Sequence, residues 1–225
     1  MHHLYLHIPF CARRCSYCDF SIAVRRRIPA GEYLAAIGSE YEGQGKVGPL
    51  ETVYLGGGTP SLLPPEAVAA LLHHIFDRTP SADAIEVTLE ANPEDVTRDA
   101  VRGWRSSGVN RVSLGAQSFD DRVLHWMHRS HDGARVGAAV ETLRSAGIDN
   151  ISLDLIFALP SELERDWRGD LDRALALEPA HLSLYGLTVE PRTPLARWVS
   201  RGATAAPDDE RYAEEYLLAH ERLAE

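Results

Sequence analysis

The chain has 225 residues, 44% of them hydrophobic and 25% charged, with a net charge of −10. That length suits one large domain or two small ones. The acidic balance argues against a general affinity for nucleic acid or anionic membrane, and no apolar run approaches membrane-spanning length.

Leu4-Tyr5-Leu6-His7-Ile8 alternates and predicts a strand that runs into a loop holding every cysteine of the chain. Arg25-Arg26-Arg27 reads as a solvated loop. Apolar residues at helical spacing predict a helix over Glu32 to Tyr41, after the turn signal Pro29-Ala30-Gly31. A second strand covers Thr52 to Leu55 and ends at Gly56-Gly57-Gly58-Thr59-Pro60. Pro64-Pro65-Glu66 opens a helix through Phe76. Ile85 to Glu90 is a third strand, followed by Asn92-Pro93 and a helix over Thr97 to Ser106. A fourth strand starts at Arg111 and ends at Gln117. A short helix from Asp120 and a longer one over Ala134 to Ala146 are split near Arg129. Gly147 stops the second of these. A fifth strand covers Asn150 to Ile156, a helix Glu162 to Leu177, a sixth strand His181 to Leu187, and a last helix Asp208 to Ala224. Six strand–helix repeats at these spacings suit βαβ units. They imply an α/β fold, a partial (β/α)6 barrel, as one domain over residues 1–225 with no linker.

Cys11, Cys15 and Cys18 are spaced C-x3-C-x2-C. An odd number cannot pair fully as disulfides. Soft thiolates that close in sequence select an iron–sulfur cluster or zinc. Three ligands leave one iron of a [4Fe–4S] cube open. A Cys3His zinc site using His7 is the rival reading, although C-x3-C fits zinc less well than C-x2-C. Inert buried thiols are a third reading, but these would not cluster. The thiols, with no secretory leader at Met1-His2-His3-Leu4, fit a reducing cytoplasm.

Barrel chemistry gathers at the C-terminal ends of strands. Here those ends give the cysteine loop, Gly56 to Thr59, Glu90, Gln117, Asp154 and Thr188. Asp154 sits in the apolar run Ile151 to Leu159, where a carboxylate needs a partner. Three consecutive glycines leave main-chain groups bare for a ligand. A phosphate loop fits poorly, because G-x4-G-K-[ST] is absent, and a tight turn remains open.

The cysteine spacing, with Tyr17 before the third Cys, resembles the radical S-adenosylmethionine (SAM) superfamily. The fuller string Tyr5-Leu6-His7-Ile8-Pro9-Phe10-Cys11 to Tyr17-Cys18-Asp19-Phe20 resembles the branch containing the oxygen-independent coproporphyrinogen III oxidases and the HemW heme chaperones. The resemblance implies a [4Fe–4S] cluster on Cys11, Cys15 and Cys18, with SAM on its open iron and reductive cleavage of a carbon–sulfur bond. It implies that Tyr5, Gly57 and Glu90 fall on a first SAM site. Tyr17, Gly58, Thr59, Gln117, Arg129, Asp154 and Thr188 fall on a second.

Phe20 stands where the oxidases carry a further Cys. Gly56 to Leu63, Glu90-Ala91-Asn92-Pro93 and Leu187 to Pro191 also resemble the HemW branch more closely. The resemblance therefore implies a chaperone that binds heme, or a related porphyrin, and passes it to an acceptor protein. An oxidase of coproporphyrinogen is the alternative. A reductant such as a flavodoxin-type donor is implied, with no nucleic acid and membrane contact only through the acceptor. A zinc-stapled binding domain is the third class. Both family branches continue into a C-terminal domain with, in HemW, a His-containing heme motif. This chain stops at Glu225, so the resemblance covers the SAM-binding core.

Overall fold

A computed structural model describes residues 2–45 and 48–224. The described residues form eight strands and eight α-helices. They are β1 (His2–Ile8), β2 (Phe10–Cys11), β3 (Ala23–Val24), α1 (Ala30–Gly43), β4 (Leu50–Gly57), α2 (Pro65–Phe76), β5 (Ser81–Ala91), α3 (Arg98–Ser106), β6 (Arg111–Gln117), α4 (Asp121–Trp126), α5 (Gly133–Ser145), β7 (Asn150–Phe157), α6 (Trp167–Ala176), β8 (His181–Gly186), α7 (Pro194–Ser200) and α8 (Asp209–Ala224).

Six of the strands form one parallel sheet in the order β1-β4-β5-β6-β7-β8. Chain order and spatial order agree, and β1 and β8 are the two edges, so the barrel stays open. The helices pack outside, α1 on α2, α2 on α3, α3 on α5 and α6 on α8. Each strand alternates. Val53 and Leu55, Val87 and Leu89, Val112 and Leu114, and Ile151, Leu153 and Leu155 are buried against the helices. Between them stand Tyr54, Thr88, Glu90, Ser113, Ser152 and Asp154. Parallel strands covered on both faces usually run continuously apolar. Here the inner face is polar, because it lines an open hollow rather than the filled interior of an eight-stranded barrel.

Four local differences from the sequence expectation have physical causes. The two-residue strands β2 and β3 pair in parallel as a separate ribbon, too short to show a period. β5 starts at Ser81, ahead of its alternating part. The helix expected from Glu162 starts at Trp167, because Ser161–Leu163 forms a 3-10 turn, Glu164 is left-handed (φ 46°), and Asp166 caps the new start by accepting from Gly169 N. Helix α7 was not expected, although Thr193 caps it and Pro194 opens it.

Candidate functional site

The cysteine loop is held by main-chain bonds at both sides. Ala23 N donates to Pro9 O (2.7 Å) and Arg25 N to Cys11 O (2.9 Å), closing the ribbon. Gly58 N donates to Ile8 O (2.7 Å) and Thr59 N to Phe10 O (2.8 Å), tying the loop to the end of β4. Its middle is anchored by Ser16 N to Met127 O (3.1 Å) and Leu195 N to Ser16 O (2.9 Å). A second small core beneath it, Val123, Met127, Ile156, Leu159, Leu187 and Leu195, takes one side of Tyr17.

All three thiols are free and line one cavity of ≈ 370 Å³. Tyr17, Gly57, Gly58, Thr59, Glu90, Gln117, Arg129, Asp154 and Thr188 line the same cavity. Tyr5 does not. Its ring is stacked on Tyr54 (centroids 5.9 Å apart), one residue removed from Glu90. His7 also turns away from the thiols. Its Nε2 meets Ser21 O at 2.9 Å, and a carbonyl only accepts, so that nitrogen carries hydrogen.

Two carboxylates stand at strand ends. Glu90 accepts from Tyr54 OH at Oε1 and from Gly57 N at Oε2, both at 2.9 Å. Asp154 accepts from Ser113 Oγ at 3.0 and 3.2 Å. Burial pushes both acids above the ordinary carboxylate value, and the donated hydrogen bonds only partly offset it. The partner that the apolar run around Asp154 demanded is thus a pair of hydroxyls, Ser113 and Ser183.

Arg129 crosses the hollow from the turn after α4. Its guanidinium donates to Asn92 Oδ1 (2.6 Å), Gly115 O (2.8 Å) and Cys15 Sγ (3.5 Å). Its Nε is buried without a partner. Burial works against its charge, but the facing Tyr17 and Cys15 hold its pKa above the usual value. A Cβ on Gly115 would stand 3.1 Å from that guanidinium, so the glycine makes room for it. Gln117 ends β6 in the left-handed region (φ 65°), at the cavity wall. Thr188 Oγ1 donates to Glu190 at 3.2 Å.

The glycine run does something other than lie bare. A Cβ on Gly56 would reach Tyr54 at 2.8 Å and Tyr5 at 2.9 Å, and one on Gly58 would reach Phe10 O at 2.8 Å. Gly57 has φ +112°. These glycines let the chain pack on itself, and the N–H groups of Gly57, Gly58 and Thr59 are already donated to protein acceptors.

Sequence reading passed over Asn92, Glu94, Ser113 and Tyr185, which line the cavity. Asn92 was visible as the Asn-Pro stop after β5. Ser113 shares the inward parity of Gly115 and Gln117 on one strand. Glu94 is held by the buried His131, whose Nδ1 lies 3.2 Å from it, and nothing in sequence links that pair.

The three thiols line one cavity, although among the described residues no three His, Cys, Asp or Glu side chains are placed to hold a single metal ion. Burial pushes Cys11 and Cys18 above the ordinary thiol value, with the Thr59 hydroxyl, 3.4 Å from Cys11 Sγ, acting the other way. Thiolates there become favourable only with positive charge placed among them.

Residues 5–174 match the Radical SAM superfamily. The chain is 39% identical to the heme chaperone HemW of Synechocystis sp. over 98% of its own length and 55% of that protein's. It is 40% identical to the HemW of Mycobacterium tuberculosis over 98% of itself and 58% of that protein. Among solved structures, coproporphyrinogen III oxidase (HemN) from Escherichia coli superposes with a TM-score of 0.87 at 25% identity, over 99% of this chain and 52% of that one. The chain thus spans little more than half the length of these relatives. Among the described residues no helix is long and apolar enough to cross a membrane. With a family match over residues 5–174 and a half-open parallel barrel around three free cysteines, the chain belongs to the radical SAM superfamily.

Proposed function

We propose that the chain is the SAM-binding core of a HemW-like heme chaperone, with a [4Fe–4S] cluster on Cys11, Cys15 and Cys18. The observation that carries this is the shared cavity of the three free thiols and nine of the ten residues that the resemblance assigns to SAM. Such a cluster, when bound, supplies one low-potential electron and an open iron for the amino and carboxylate groups of SAM.

The chain's own residues do the rest. The cavity wall carries five carboxylates, Asp19, Glu90, Glu94, Asp154 and Glu190, against Arg13 and Arg129. That excess of negative charge suits SAM, which carries one net positive charge at neutral pH. Glu90 accepts hydrogen bonds from a ribose. Carbonyl oxygens of the Gly56 to Thr59 segment face the ligand ammonium, since the amides are used. Arg129 lines the cavity and offers its positive charge to a ligand carboxylate. The buried Cys11 and the apolar floor around Tyr17 keep water off the centre.

The chaperone is favoured over an oxidase by relatives named HemW at 39 and 40% identity, against 25% for the oxidase. Phe20 points the same way, in place of the oxidases' extra Cys. Heme is the cargo, an acceptor protein the recipient, and a reducing cytoplasm the setting. The test is anaerobic reconstitution followed by heme titration and incubation with coproporphyrinogen III. A brown protein with about four irons per chain, heme binding, and no protoporphyrin is expected. A colourless protein with one zinc overturns the cluster. Protoporphyrin beyond one turnover transfers the chain to the oxidases.

A further inference from the structure

The chain has ten histidines, and the fold sorts them. Six rings are tied to protein partners: His3 to Thr52, His7 to Ser21, His73 to Asp77, His74 to Glu42, His131 to Glu94 and Ala116, and His181 to Ser152. Of the other four, only His128 lines the cavity that holds the three thiols. It is half-buried, and its ring nitrogens make no hydrogen bond among the described residues. Its backbone is left-handed (φ 60°) although it carries a side chain. That conformation costs energy and gathers at functional sites.

The surroundings of His128 say what it could hold. Its ring meets the Trp198 ring edge-on, with centroids 5.3 Å apart, and Trp126 lies 5.8 Å from Trp198. Both indoles are only half-buried, so apolar surface stays open beside the imidazole. One residue along, Arg129 O accepts from Arg13 at 3.2 Å. Arg13 is exposed, lines the same cavity, and forms no ion pair among the described residues. An imidazole nitrogen suits iron, indole surface suits a flat apolar ring, and a free guanidinium suits a carboxylate. An iron porphyrin with propionate side chains needs those three contacts together.

We propose that His128 is an axial ligand for heme iron at the rim of this cavity, with Arg13 pairing a propionate. The proposal rests on the heme reading above and not on the cluster. One ring nitrogen gives its lone pair to ferric iron and displaces a water, while the other keeps its hydrogen. No electron is transferred and the porphyrin is unchanged. The bond is therefore reversible, as the release of a cargo requires. The left-handed backbone and the edge-on contact with Trp198 hold the imidazole in place before heme arrives, which lowers the ordering cost of binding.

The experiment titrates hemin into the full chain, read by absorption in the Soret region and by electron paramagnetic resonance. It compares wild type, His128→Gly, Arg13→Gln, and His125→Ala, an exposed histidine three residues earlier on α4. Wild type is expected to give the spectrum of histidine-bound heme. His128→Gly should lose that spectrum and about tenfold or more in affinity, and added imidazole should restore the spectrum. Glycine adopts the left-handed backbone freely, so its circular dichroism should be unchanged. His125→Ala should behave as wild type. Arg13→Gln should keep the spectrum, bind hemin less tightly, and bind hemin dimethyl ester as wild type does. An unaltered spectrum in His128→Gly, a loss that imidazole does not repair, or an equal loss in His125→Ala overturns the iron contact. Unchanged hemin affinity in Arg13→Gln, or an equal loss for hemin and its ester, overturns the propionate contact. A wild-type chain that leaves the hemin spectrum unchanged overturns the heme reading itself. If the circular dichroism of His128→Gly is altered, His128→Asn, which also tolerates that backbone, must show the same loss.

Discussion

Glu90 and Asp154 are partly buried acids with hydrogen-bond donors but no facing cation at contact distance among the described residues. Their pKa values are raised, so the native state holds their protons more tightly than the unfolded chain does. That contribution to stability is present at low pH and is lost as pH rises through the folded values. At neutral pH both groups are costs to the fold. Asp154→Asn is therefore expected to raise the unfolding midpoint of the cofactor-free chain at pH 7, with the gain vanishing at acidic pH where the wild-type acid is already neutral. A midpoint that drops at pH 7 would show that Asp154 stabilises the fold. Glu90→Gln keeps an acceptor for Gly57 N but removes the charge. It should weaken SAM binding by roughly 1.5–3 kcal/mol and leave iron content unchanged, because the side chain touches no cysteine. SAM affinity should likewise decline as pH falls into the raised titration of these acids, and the decline should flatten in Glu90→Gln. Calorimetry against pH checks both, and an unchanged affinity in the variant removes Glu90 from the site.

At the level of elements, the end of β4 is where fold and site share the same atoms. Gly58 N and Thr59 N extend the sheet onto Ile8 and Phe10, and Phe10 is the residue before the first thiol. Gly58→Ala would press a methyl to 2.8 Å of Phe10 O and 2.9 Å of Ile8 O, both main chain. A cost of about 1–3 kcal/mol in urea unfolding is expected, with poorer iron incorporation because Cys11 moves with its neighbour. Full stability and full iron content in Gly58→Ala would mean the turn has slack. The glycine run stood out in sequence, and it lines the cavity, but its amides are donated within the protein and its lack of side chains lets the chain pack on itself rather than lie bare. The six long strands were legible because their apolar residues recur at period 2 against the helices, at Val53 and Leu55 or Ile151 and Leu153. Strands β2 and β3 were not legible, since two residues carry no period. Their effect is large nonetheless, for they fold the Arg25 to Arg27 segment beside Cys11. Arg129 was read as a helix-end residue aligned with the site; only the turn after α4 puts it through the gap at Gly115 to Cys15.

Across the whole molecule, one buried network fastens the last helix to the barrel. Arg165, with its side chain fully buried, donates to Asp170 Oδ2 (2.9 Å) and Ile156 O (2.7 Å), and reaches Glu215 Oε2 at 3.5 Å. Asp170 also accepts from Ser118 Oγ and Phe119 N, just beyond β6. Glu215, on α8, accepts from Ala158 N (2.7 Å) just beyond β7 and from Arg211 Nε (2.8 Å), and Trp167 Nε1 bonds its carbonyl. Burial lowers the Arg165 pKa, and the two acids offset it only in part. The network therefore joins the ends of β6 and β7 to α6 and α8 through charges that cannot be removed singly. Glu215→Ala leaves the Ala158 amide without an acceptor and Arg165 with one acid instead of two. A loss of about 3–5 kcal/mol in urea unfolding is expected, with the midpoint shifted and the slope unchanged if cooperativity is kept. Glu215→Gln restores an acceptor for the amide but no charge, and should recover part of the loss. Because the cysteine loop is anchored instead through Met127 and Leu195, the Glu215→Ala chain that remains folded at low urea should still take up iron. A change within about 0.5 kcal/mol would mean that α8 is a peripheral addition, and iron loss at full folding would mean that the network reaches the cluster site.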